Sequence, residues 1–259
     1  MKVFVAITLV LLVGCVRGES SVTDGLSVED MLDKCMDGRH HKTQPGPEGS
    51  LYSQCTPWND RACCRASTTE QLHQPLWLNF DWHHCGQLSE SCERHFKQDL
   101  CFYECSPNVG PWLVPIDMQI RNERFVSVPL CATDCNRWWT ACKDDMTCSG
   151  NWGVSWNWTS GQNTCPQGAE CRTFQDYFGT PSNFCRNIWN GSFEVVDDSA
   201  PCFTQWFNGT NPNDRVARLR AEEIVTARGG ALTSVSAPHP LLVTILIAVS
   251  VVMGRDVHT

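Results

Sequence analysis

Between residues 35 and 202 the chain carries sixteen cysteines, and that density constrains what it can fold into more than any other feature. In a reducing compartment such a load demands a metal array or a redox role, whereas in an oxidising one it needs only to be paired. The N-terminus decides between these. Residues 1–18 read Lys2, an apolar run, then small residues to Gly18, which is a secretory signal peptide with Val16 and Gly18 as the cleavage pair. The stretch Leu12-Val13-Gly14-Cys15 also fits a bacterial lipoprotein box, but three acceptor sequons, at Asn157, Asn190 and Asn208, favour a glycosylating secretory route. Cys15 leaves with the leader, and an even sixteen suits eight disulfides with no free thiol. Spacing alone does not choose the pairing.

At the other end, residues 241–253 form a 13-residue apolar run. A spanning helix needs ~20. Gly229-Gly230-Ala231 followed by a spacer and this short run matches a glycolipid-anchor signal, with Gly229 or Gly230 as the attachment point and the tail removed. The expected organisation is a signal peptide at 1–18, an ectodomain at 19–230 with a cysteine-rich core at 35–202, and an anchor signal at 231–259. Its place is the extracellular face of the plasma membrane, with free secretion as the alternative. Net charge is −8 without a Lys/Arg cluster, which argues against nucleic acid as a partner.

No internal repeat or linker divides the core, so one disulfide-stapled domain is expected. Helical spacing predicts helices at 27–36, 89–104, 133–148 with Thr133 as N-cap, 180–192 opening on Thr180-Pro181, and 211–228 with Gly229 as the stop. Strands are short, at 125–129 and 192–196. The fold class is disulfide-rich and predominantly α, with short β segments and long loops (α+β).

Motifs for catalysis are missing: the sequence has no His-Glu-x-x-His, no Gly-x-Ser-x-Gly and no phosphate-binding Gly loop. The pairs His40-His41 and His83-His84 lack spare thiolates and read as packing or surface residues rather than metal ligands. No enzyme, metal or cofactor is expected. Asp99 is more informative. On a helix it shares a stripe with Cys92, Phe96 and Tyr103, so it points inward, where an unpaired charge is costly. Either an internal arginine or a ligand with N–H groups must complete it, and Arg121 and Arg124 are the candidates to join it. Eleven tryptophans exceed what a disulfide core ordinarily needs, so some are expected to wall a pocket for a planar heterocycle, though most pack the core.

A series of short motifs runs along the chain: Cys35-Met36 with His40-His41-Lys42 and Pro45-Gly46-Pro47-Glu48, then Cys55-x-Pro57-Trp58 and Ala62-Cys63-Cys64, then Trp82-x-His84-Cys85-Gly86. It continues through Arg94-His95-Phe96-x-Gln98-Asp99, Tyr103-Glu104-Cys105-Ser106-Pro107-Asn108, Val128-Pro129-Leu130-Cys131 and Trp138-Trp139 to Trp156-Asn157-Trp158-Thr159-Ser160-Gly161 and Asn211-Pro212-Asn213. Together these motifs resemble the folate receptor family over roughly residues 35–220.

The resemblance implies a globular ectodomain with a deep pocket for folic acid and reduced folates, held to the membrane by a glycolipid anchor. It implies the pairing Cys35–Cys63, Cys55–Cys101, Cys64–Cys105, Cys85–Cys171, Cys92–Cys142, Cys131–Cys202, Cys135–Cys185 and Cys148–Cys165. It also assigns roles. Asp99 takes the pterin N–H edge bidentately, Tyr103, Arg121, Arg124 and Ser192 serve the polar pterin end, and Trp189 is a stacking wall. Ile120 and the loop Gly153, Val154, Ser155, Trp156 and Trp158 lie at the glutamate end. The chain departs from the family at Leu78, where a tyrosine wall is usual, at Ile120 in place of a tryptophan, and at Gly153 in place of a histidine. Two alternatives follow from the same kinship: a Juno-like gamete adhesion receptor with a protein partner and little or no folate binding, and a carrier of riboflavin or another vitamin.

Overall fold

The structure, a computed structural model, describes residues 21–235. The expected signal peptide at 1–18 and the expected anchor signal, with its apolar run at 241–253, fall on or extend into residues outside those described.

Helix α3 (Glu90–Cys105) is the spine. Ser89 opens it by accepting a hydrogen bond from the Cys92 N–H at 3.3 Å, satisfying one of the donors that a helix start leaves orphaned. Three of its cysteines are tied to three other parts of the chain: Cys92 to Cys142, Cys101 to Cys55 and Cys105 to Cys64. Five further disulfides join Cys35–Cys63, Cys85–Cys171, Cys131–Cys202, Cys135–Cys185 and Cys148–Cys165. Each restricts the unfolded chain, which is how a domain with little regular structure stays folded.

In chain order, α1 is Val28–Leu32, α2 is Ala66–Leu72, and strands β1 (Leu76–Trp77) and β2 (Phe80–Asp81) form a tight hairpin ahead of α3. Strands β3 (Leu113–Met118) and β4 (Arg121–Phe125) make a second hairpin, followed by β5 (Val128–Cys131) and α4 (Ala132–Cys142). Strands β6 (Met146–Thr147) and β7 (Arg172–Thr173), helices α5 (Phe174–Phe178) and α6 (Pro181–Asn187), strand β8 (Phe193–Val196) and helix α7 (Asn213–Val235) complete the chain. The sheets are all two-stranded; β5 and β8 pair in parallel, with Val128 opposite Phe193. The interior is a continuous cluster of aromatics and cystines, with Phe96, Phe102, Trp138, Phe174 and Phe184 fully buried.

Six features differ from the sequence reading. The helix expected over 27–36 ends at Leu32, where Asp33 caps it. Residues 125–129 do not form one strand, because Ser127 has φ 54°, a left-handed backbone that ends β4 at Phe125 and lets β5 start at Val128. Thr133 is not the N-cap of α4; that position is Cys131, and Thr133 gives its N–H to Asp198 at 3.0 Å. Helix α4 ends at Cys142 and α6 at Asn187, short of Cys148 and Ser192; the chain after α4 is pinned by the Cys148–Cys165 bridge, and the chain after α6 turns at left-handed Asn190 and is held by Arg124. Finally, α7 runs through Gly229 to Val235. A glycine weakens a helix interior by about 1 kcal/mol but stops it only by turning left-handed, and Gly229 is not among the glycines with positive φ. No helix among the described residues is long and apolar enough to cross a membrane.

Candidate ligand-binding site

The stripe on α3 faces inward as its spacing requires: Cys92, Phe96 and Asp99 are buried and Tyr103 is half-buried. Asp99 is only 3% exposed, and neither Arg121 nor Arg124 pairs with it. Its partner is neutral: the side-chain amide of Gln205 donates to Oδ1 at 2.7 Å. Burial pushes the Asp99 carboxyl up to about 7, against the pull of the Trp189 and Gln205 N–H groups. The Trp189 indole N–H is directed at the carboxyl without reaching hydrogen-bond geometry, and it has no other partner. A buried carboxylate with neutral donors and no cation is a strong acceptor awaiting N–H groups.

The two arginines lie one step further on. Strand β4 alternates its side chains, so Arg121 and Arg124, three apart, do not share a face and take different partners. Arg121 donates to the Tyr103 hydroxyl and lies over its ring, 5.4 Å from the centroid. Arg124 donates to the Trp189 carbonyl at 3.2 Å, to the Asn190 carbonyl, and to the Ser192 hydroxyl at 3.4 Å. Asp99, Trp189, Ser192 and Arg124 therefore form one series through Trp189, and Tyr103 with Arg121 forms a separate hydrogen-bonded pair.

Sequence reasoning missed three members of this neighbourhood. Glu104 is buried next to Tyr103, and desolvation raises its carboxyl to about 8 despite Arg121. His41 lies 3.6 Å from it, but burial lowers the imidazole to about 4. Burial thus pushes both toward their neutral forms, and the His41 Nε2–H donates to the Tyr103 carbonyl at 3.1 Å. Gln205 is the third. Glu104 carries no periodic signal because α3 is buried around most of its circumference, and Gln205 sits in irregular chain, where spacing says nothing.

The aromatic wall beside Asp99 is dense. Phe96 stacks on Trp152 at 4.6 Å, and Trp189 meets Trp152 edge-on at 5.8 Å and lies 6.5 Å from Phe80 and Trp82. Trp77 packs on His40 at 4.9 Å. Leu78 occupies the β1–β2 turn and is 37% exposed. Of the loop residues, Gly153 abuts the Asn190 turn so closely that a Cβ there would meet Asn190 Cβ at 3.1 Å. Trp156 is buried, and its indole N–H is taken by the Trp152 carbonyl at 2.9 Å. Ser155 gives its N–H to the Asn151 carbonyl at 3.2 Å, while Val154 and Trp158 are exposed. Ile120 is half-buried at the β3–β4 turn, and its carbonyl accepts from the Arg39 N–H at 2.9 Å. Asn157, Asn190 and Asn208 are exposed.

Two surface clefts of about 360 and 430 Å³ share Arg94 and Trp206, on the far side of Gln98; Asp99 lines neither. Among the described residues, each grouping of possible metal ligands relies on cysteines engaged in disulfides, which offer no thiolate.

The profile of the folate receptor family matches residues 34–204. The chain belongs to the folate receptor family. It is 49% identical to folate receptor gamma of Homo sapiens over 74% of this chain and 81% of that protein. It is 43% identical to folate receptor alpha of Homo sapiens, covering 82% and 86% of the two chains. A riboflavin-binding protein of Gallus gallus is 37% identical over 71% of this chain and 74% of its own length. The family thus embraces vitamin-binding proteins and receptors rather than enzymes.

Proposed function

We propose that this folate receptor family member is a cell-surface receptor that binds folic acid and reduced folates and delivers them by endocytosis. The carrying observation is Asp99: a buried carboxylate with neutral donors only, next to the Trp189 ring and within the series that includes Arg124 and Ser192. The charged carboxylate accepts the paired N–H groups of a pterin edge, Trp189 lies against the ring, and Arg124 and Arg121 serve its oxygen and nitrogen acceptors. Retention of this acidic group supports vitamin binding over the adhesion reading, which has no use for it.

Equilibrium binding of folic acid to the purified ectodomain tests the proposal; absence of saturable binding at micromolar concentration overturns it. The riboflavin-binding relative supports a second reading, a riboflavin carrier. Competition between riboflavin and folic acid on one preparation separates the two. We place the protein on the outer face of the plasma membrane through a glycolipid attached near Gly229, with glycans at Asn157, Asn190 or Asn208. Release from cells by a phosphatidylinositol-specific phospholipase tests the anchor, and recovery of residues 241–259 in mature protein contradicts it.

A further inference from the structure

Gln205 is held with unusual thoroughness for a residue in irregular chain. Its backbone N–H is given to the buried Asp134 carboxylate, and its carbonyl accepts from the buried Gln98 amide. The preceding Thr204 is fixed through its N–H to Asn213 Oδ1 at 3.0 Å and its carbonyl to Asn213 Nδ2 at 2.9 Å, and Cys202 is bridged to Cys131. With the backbone fixed on both sides, only the side-chain torsions of Gln205 remain, and they deliver Nε2 to Asp99 Oδ1 at 2.7 Å. Gln205 is 2% exposed and Asp99 3%, so bulk water does not compete for this bond.

A ligand edge with two parallel N–H groups needs both oxygens of the carboxylate. One of them already accepts from Gln205 Nε2 at 2.7 Å, and that amide group occupies part of the approach to it. Resting on the proposed function above, we infer that Gln205 competes with the ligand for Asp99 and thereby sets the affinity of the site. The amide acts as an internal substitute for a ligand N–H: it satisfies the buried carboxylate while the site is empty and must rotate away before a two-donor edge engages. Breaking a hydrogen bond to a buried charged group weakens ligand binding by on the order of tenfold or more.

The test is folic acid binding to the purified ectodomain and to Gln205→Met, which keeps the length and unbranched shape of the side chain but has no N–H. Gln205→Leu serves as a second variant if the first does not fold, and the double variant Asp99→Asn/Gln205→Met serves as the control. The inference expects Gln205→Met to bind at least tenfold more tightly than the unaltered chain, with no such gain in the Asp99→Asn background. Equal or weaker binding by folded Gln205→Met or Gln205→Leu, with the unaltered chain binding normally, overturns this inference and leaves the proposed function standing. A gain that persists with Asp99→Asn also overturns it. Absence of binding by every folded chain overturns the proposed function itself, and the competition with it.

Discussion

Arg124 donates to the carbonyl oxygen of Trp189 at 3.2 Å, so strand β4 clamps the turn that holds the aromatic wall against Asp99. The same guanidinium reaches Asn190 and Ser192, so one side chain holds three of the four residues of a turn in which Asn190 is left-handed. In the proposed vitamin site its role is double: a cation near the ligand and the group that orients Trp189.

Arg124→Ala should therefore reduce both stability and ligand affinity. Loss of a charged donor from partly buried carbonyls costs about 1–2 kcal/mol. Arg124→Lys should restore only part of this, since a lysine lacks the planar fork that spans several acceptors. Denaturant unfolding and folic acid binding on the three proteins check this; equal behaviour of Arg124→Ala and the unaltered chain contradicts the clamp.

Acid should weaken binding. With Asp99 at about 7 in the empty site, the acceptor form is progressively lost below neutrality. A ligand that requires the charged carboxylate then binds roughly fifty-fold less tightly at pH 5 than at pH 7. Affinity that stays flat across this interval contradicts the assignment of Asp99 as the acceptor.

Two buried groups give stability opposite pH dependences. The Glu104 pKa is raised to about 8, so its contribution is fully present below about 4.5 and is lost as pH rises through 8. His41 is lowered to about 4, so its contribution is present above about 6.5 and is lost as pH falls through 4. Glu104→Gln should gain stability relative to the unaltered chain between pH 5 and pH 8, and His41→Gln should gain between pH 6.5 and pH 4. Unfolding free energies across pH check both; differences that do not change with pH contradict the burial of these charges.

The β1–β2 hairpin carries local strain. Leu78 and Asn79 have φ of 52° and 61°, the left-handed pair that a two-residue hairpin turn demands. Leucine in that region costs about 1 kcal/mol, and its side chain gains little burial there. Leu78→Asn should raise stability by up to about 1 kcal/mol in denaturant unfolding; a loss would show that the leucine packing outweighs the strain.

Much of this architecture was legible in the chain. The cysteine load and the family motifs pointed to a disulfide-held, mostly helical domain, and the spacing of Cys92, Phe96, Asp99 and Tyr103 placed the carboxylate inside. Arg121 and Arg124, the candidates to join Asp99, do not pair with it: Arg121 turns to Tyr103, Arg124 to the Trp189 turn, and a glutamine takes the carboxylate. That contact joins residues 106 apart across irregular chain, where neither helical nor strand periodicity operates. The ends of α4 and α6 were overextended because apolar spacing continues into loops whose residues are buried by tertiary contacts rather than by helical packing. Gly229 misled as a helix stop for a related reason, since composition does not reveal whether a glycine turns left-handed.

The most direct test of the account is folic acid binding to Asp99→Asn at neutral pH, with folding checked by thermal unfolding. The substitution keeps the shape and one acceptor while replacing the charge and putting a donor opposite the ligand's donors. The account predicts a loss of about 2 kcal/mol or more, close to thirty-fold in affinity. Unaltered affinity in a folded Asp99→Asn protein would contradict it, leaving Asp99 a structural partner of Gln205 and nothing more.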